Sequence, residues 1–284
     1  SGGSAGVEAS SGGSATAAET PASFAQRTTR RALRNGITVD VLANHAVPTV
    51  AIHGVALAGR MTAPAGKPAV PQLTAMMLER GTKTRDKRTI GRLLDGVGGR
   101  ISITADTYQP TVTGSGLSRD VGLLLSVLAD ELLSPAFSDS ELTKAKSEMK
   151  ADVLRGYDNT RQRGFDRLSQ LAFAPGHPYR APTKDEMLAS LEAARPADLR
   201  AFHRDRYVGA SLIVSIVGDV DTSRVAALTD SLFRSMPRGE RPRYDQARSE
   251  PAAPAREAIT LRGKANMDLI YGMASGLRRT DPDY

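Results

Sequence analysis

The chain holds four histidines, thirty-one acidic residues and no cysteine from which to build a reactive site. Without cysteine there is no disulfide, no thiolate nucleophile and no thiolate-bound zinc. His45, His53, His177 and His203 are never three or four residues apart, so no helix can turn two imidazoles toward one metal ion. His53 falls in an apolar stretch and reads as a satisfied core or edge histidine. His177, before Pro178, and His45, after Asn44, read as turn residues. His203 lies among Arg200, Arg204 and Arg206, a setting that disfavours a bound cation. There is no G-x-S-x-G elbow, and Gly114-Ser115-Gly116 reads as a turn. Gly96-x-Gly98-Gly99 precedes a strand, whereas a phosphate cradle should open a helix. Glu148 and Asp152 are four apart on one helix and could share a cation or a proton, but Lys144, Lys146 and Lys150 surround them, which favours a solvated, charge-balanced face. The residues alone supply no complete catalytic constellation.

The elements that would position these groups follow from periodicity. Hydrophobic residues make up 40% of the 284, enough for a core. Residues 1–24 are Ser/Gly/Ala-rich and read as a flexible linker, since they offer little apolar surface to offset ordering entropy. Asn35-Gly36 marks a hairpin between residues 31–33 and 37–42. Strands are expected at 49–57, 101–105, 110–114 and 211–217, with weaker strand pattern at 258–261 and 267–273. Helices are expected at 70–80, 89–97, 118–133, from a Ser138-x-x-Glu141 capping box onward, at 160–173, at 197–207 after Pro196, and from Asp221 to 233. In the helix after Ser138, Leu142, Ala145, Met149 and Val153 form one apolar stripe. Residues 237–255 read as a Pro/Arg-rich linker. Strands set in hairpins and separated by blocks of helices predict an α+β fold with a largely antiparallel sheet packed by helices.

Net charge is +7, carried mostly by arginine. The arginines are scattered, with Arg30-Arg31 and Arg278-Arg279 the adjacent pairs, and there is no tryptophan to stack on bases, so a nucleic-acid partner is not expected. No apolar run reaches the roughly 18 residues of a membrane span. No secretory leader pattern is visible at the start, and the sequence reads as a piece of a longer chain.

A family resemblance rests on six landmarks that occur in order between residues 29 and 233. Leu78-Glu79-Arg80-Gly81-Thr82-Lys83-Thr84-Arg85 resembles the end of the active-site helix of the insulinase (pitrilysin) family of zinc peptidases. Leu33-Arg34-Asn35-Gly36-Ile37-Thr38-Val39 resembles that family's opening hairpin, and Gly98-Gly99-Arg100-Ile101 the turn into its central strand. Pro135-Ala136-Phe137, His177-Pro178-Tyr179 and Val217-Gly218-Asp219-Val220 resemble its later landmarks. Active members carry H-x-x-E-H on the first helix. Counting back from Gly81-Thr82, the resemblance puts Gln72 and Met76 at the two zinc-histidine positions, Ala75 at the water-activating glutamate, and Asp152 near the third ligand.

Gln is a poor zinc ligand, Met a soft one, and Ala cannot take a proton. The resemblance therefore implies a metalloprotease LuxS/mitochondrial-processing-peptidase-like domain without a working site. No cofactor is expected in this chain, with zinc expected only in an active half, fused or separate, that would be its partner. The substrate-facing strand of the family matches Ile101, Ser102, Ile103 and Thr104, where active members favour Asn-Ala at the positions of Ser102 and Ile103. The implied role is a non-catalytic half that forms chamber wall and binds extended peptide substrate by strand addition. Residues 25–236 would form the first domain, and residues 256–284 the opening strands of a second. A periplasmic location is the expectation if the parent resembles bacterial envelope members. The competing readings are an enzyme with a non-zinc site on Glu148 and Asp152, and an arginine-rich nucleic-acid binder.

Overall fold

The structure is a computed structural model that describes residues 23–106, 108–242, 253–275, 277 and 281–282. Residues 1–22 of the linker expected at 1–24, residues 243–252 of the one expected at 237–255, and residues 278–280 and 283–284 lie outside the described residues; contrary to the linker reading, Ser23 and Phe24 cap and open a short helix.

Among the described residues, six strands form one sheet: β1 (Thr29–Ala32), β2 (Thr38–Ala43), β3 (Thr49–Val55), β4 (Arg100–Ala105), β5 (Pro110–Leu117) and β6 (Ile213–Gly218), in the order β1-β2-β6-β3-β5-β4. Every neighbouring pair is antiparallel except β2 and β6, which run parallel. The helices are α1 (Phe24–Arg27), α2 (Val70–Leu78), α3 (Lys87–Asp95), α4 (Val121–Leu133), α5 (Asp139–Tyr157), α6 (Thr160–Ala172), α7 (Lys184–Ala193), α8 (Pro196–Arg206) and α9 (Thr222–Phe233). The α+β class with a mostly antiparallel sheet is as the sequence predicts.

The sheet has one dry face. In β3 the side chains alternate, with Val50 and Ile52 buried and Thr49, Ala51 and His53 exposed. Helices α2, α4 and α9 pack over the dry face, against β4, β5 and β2 respectively. The opposite face carries one row across all six strands: Ser102, Thr113, His53, Ser215, Asp40 and Arg30. At its far end Asp40 takes two hydrogen bonds from Arg30, at 2.7 and 2.8 Å. His53 is therefore neither a core nor an edge histidine: it stands exposed on a central strand, because its position in the two-residue alternation faces away from the helices.

Several local expectations change. Gly114-Ser115-Gly116 is not a turn but the second half of β5. Its glycines leave room for helix-side neighbours, since a Cβ on Gly114 would lie 3.3 Å from Ile52 and one on Gly116 3.0 Å from Leu124. Ser138 is the N-cap of α5 but makes no side-chain capping bond, and Glu141 turns to Arg80 and Lys144 instead. A capping box does open α7, through Thr183 and Glu186, in a stretch where the apolar periodicity gives little sign of a helix. Residues 258–261 and 267–273 form no strand. They run alongside α6, held by Arg167 to Glu257 (2.9 Å) and by Asn266 to Thr160 (2.8 Å). Ile270 sits where a Cβ on Gly164 would be 2.6 Å away, while Met267, Leu269, Tyr271 and Met273 alternate outward, each more than 70% exposed. The strand pattern was a true two-residue alternation without a hydrogen-bonded neighbour.

Candidate functional site

Helix α2 packs over the dry face against β4, and α5 packs against α2. Between them lies a groove of about 330 Å³ lined by Gln72 and Met76 from α2, Glu79 and Arg80 directly after it, Ile103, Thr104 and Ala105 from β4, Glu148 and Asp152 from α5, and Lys87 from α3. Gln72, Met76 and Glu79 share one face of α2 at intervals of four and three residues. The opposite face, with Leu73, Ala75 and Met77, is buried. Of the degenerate-motif residues, the structure brings Gln72, Met76 and Asp152 to one groove, while Ala75 is fully buried and does not line it. Of the expected peptide-facing residues, Ile103 and Thr104 line the groove; Ile101 is half-buried, and Ser102 is exposed on the helix-free face of β4.

The charges are paired, but not as the sequence led one to expect. Glu148 is bound by Arg80, reaching across from α2, and Asp152 by Arg155 one turn on, rather than by the flanking lysines. Arg80 lies within 3.5 Å of Glu141 as well, and its side chain is only 8% exposed, so the α2–α5 contact is tied by a largely desolvated cation. Glu141 is held below the usual carboxylate range, first by the hydrogen bond from Lys144. His203 is also more structural than expected. Its Nε2 is 2.8 Å from the Leu132 carbonyl, it stacks on Tyr207 and meets Phe137 edge-on, and burial lowers its basicity.

Two carboxyl groups near the groove escaped the sequence reading. Glu79 ends α2 and accepts a hydrogen bond from the Ile103 backbone N–H at 2.8 Å. Burial pushes its carboxyl up, partly offset by the Ile103 and Ser102 bonds and by Arg80 and Lys87. Behind it on α4, Glu131 is 1% exposed, and its Oε2 has no hydrogen-bond partner. Burial, then the nearby charges of Glu79 and Asp130, push Glu131 up to about 8. One signal for Glu79 was present in the sequence: a carboxylate at a helix C-terminus opposes the helix dipole and so calls for a compensating contact.

These residues do not fit a zinc ion. The donor set at the ligand positions is one carboxamide, one thioether and one carboxylate already held by Arg155. Among the described residues there is no group of three His, Cys, Asp or Glu placed to hold a metal. No described helix is long and apolar enough to cross a membrane.

Residues 43–181 match the family model described as Insulinase (Peptidase family M16), and residues 194–284 the one described as Peptidase M16 inactive domain. The chain belongs to the insulinase family, peptidase family M16, and lacks its H-x-x-E-H residues. It is 22% identical over 224 residues to an uncharacterized zinc protease of Rickettsia bellii, covering 76% of this chain and 52% of that protein. The crystal structure of a peptidase M16 inactive domain from Pseudomonas fluorescens superposes with a TM-score of 0.70 at 22% identity, over 80% of this chain and 54% of that one. The periplasmic protease PqqL from Escherichia coli gives 0.66 at 15% identity, over 80% and 26%. The chain thus spans about half the length of the curated relatives it matches.

Proposed function

We propose that this chain is a non-catalytic half of an insulinase-type peptidase, which binds extended peptide along β4 and works with a zinc-bearing half, fused or separate. The observation that carries the reading is the groove itself: the three degenerate ligand positions Gln72, Met76 and Asp152 open beside an edge strand. On this reading the groove corresponds to the family's site, without the groups that would polarise water. An edge strand leaves every second residue's N–H and C=O unpaired by the sheet, which is what an added strand needs. The match to a family model described as inactive supports the same reading. The partner half would bring the zinc, and its envelope relative favours a periplasmic home.

The test is elemental analysis of the purified chain after zinc loading, with a peptidase assay alongside. The expected result is no stoichiometric zinc and no cleavage by the chain alone. One tightly held zinc per chain, or cleavage that a chelator stops, would overturn the reading. Neither competing reading gains an observation: Glu148 and Asp152 are engaged by arginines, and the adjacent pair Arg30-Arg31 gives one residue, Arg30, to Asp40.

A further inference from the structure

The geometry points to Glu79 as an intramolecular stand-in for the backbone carbonyl of a docked strand, so that peptide binds β4 only by displacing it. This rests on the strand-docking reading above and adds what controls it. In an antiparallel ladder a residue either exchanges both backbone bonds with its partner or points both away. Ile103 pairs with Val112 of β5, yet its N–H donates to Glu79 Oε1 at 2.8 Å, so Ile103 belongs to the outward-pointing set, with Ile101 and Ala105 two residues to either side. The carboxylate oxygen sits at hydrogen-bond distance from that N–H, as the carbonyl of an added strand would. Glu79 follows directly after α2, which is anchored by fully buried Leu73, Leu78 and Val70, so the carboxylate is delivered by a rigid element.

The capping contact balances opposing effects. Glu79 loses solvation in the groove, which disfavours its charged form. Opposing this, Arg80 and Lys87 favour the charged form, and Arg80 is itself committed to Glu148 and Glu141. A cap made this way closes the edge against aggregation by unrelated strands, yet a peptide that supplies its own carbonyl to Ile103 would let the carboxylate swing back to water.

The experiment compares the wild-type chain with Glu79→Ala and the near-isosteric Glu79→Gln. The probe is a fluorescein-labelled peptide of alternating valine and threonine flanked by lysines, followed by fluorescence polarisation. Exchange of the Ile103 amide is read by NMR without peptide. The expected result is binding at least tenfold tighter in Glu79→Ala, about 1.4 kcal/mol, with Glu79→Gln in between, and faster Ile103 exchange in the free alanine variant. Equal, measurable affinity in all three proteins would overturn the cap and leave strand docking standing. Unchanged Ile103 exchange in Glu79→Ala would also overturn the cap. No binding by any of the three would overturn the docking reading and the cap with it. Glu79→Gln guards against misfolding of the alanine variant, since it keeps the side chain's shape and weakens only the acceptor.

Discussion

Glu131 is the residue whose chemistry the fold perturbs most clearly. It is buried with one oxygen unpartnered, and its carboxyl titrates at about 8 instead of 4.5. Between those two values the folded state holds a proton that the unfolded state has released. The chain should therefore lose stability as pH rises through that window, by at most about 1.4 kcal/mol per pH unit. Glu131→Gln, which carries a permanent neutral head, should flatten the profile and raise the melting temperature at pH 8 relative to wild type, with little change at pH 4. Thermal melts of both proteins across that range check it. At the groove, histidines at Gln72 and Met76, four apart on the exposed face of α2, should bind zinc together with Asp152. The double variant Gln72→His/Met76→His should bind zinc measurably in calorimetry where the parent does not. Ala75 is left alone, because it is fully buried and a glutamate there would enter the core.

Glycine sets the tolerances of individual elements. Gly218 ends β6 with φ +150, and a Cβ there would sit 2.1 Å from the Thr49 carbonyl. Gly91 lies within α3 with open space around it. Gly218→Ala should cost about 2–4 kcal/mol, whereas Gly91→Ala should gain about 0.5–1 kcal/mol from helix propensity. Urea unfolding of the two variants separates these outcomes. The same level shows why much of the fold was legible. Strands β3 and β6 alternate as half-buried strands do, and Leu142, Ala145 and Met149 of α5 are buried as their spacing predicts. The groove was partly legible, through the family's motif positions. Glu79 and Arg80 were not, because their partners lie on other elements: Glu79 reaches Ile103, 24 residues away, and Arg80 reaches Glu148, 68 away; nor was Glu131, whose burial depends on packing across the fold. His53 was misjudged because an apolar neighbourhood in sequence says nothing about which face of a sheet a residue takes. Residues 267–273 had a strand's pattern but no neighbour to bond with.

At the scale of the molecule, the segment from residue 257 to 274 is attached to the body along α6, by Glu257, Asn266, Asp268 and Ile270. Gly164 is the close contact, so Gly164→Val should lift this segment off α6 without loosening the sheet. Hydrogen exchange is expected to speed up at 266–274 and to stay unchanged in β3 and β6. Equal acceleration everywhere would mean that the segment is integral to the core.

The place of β6 carries a consequence for how the chain is made. The first matched family range ends at residue 181, before α7, and the second begins at residue 194, after it, yet β6, from the later range, lies between β2 and β3 and is hydrogen-bonded to both along its length. Nearly the whole domain must leave the ribosome before the sheet can close, and until then β2 and β3 present two bare edges with a strand-wide gap between them. Synthesis at about 5–20 residues per second makes the wait for residues 213–218 a matter of several seconds or more. This chain should therefore fold late and as one unit, and need protection from other nascent strands in the meantime.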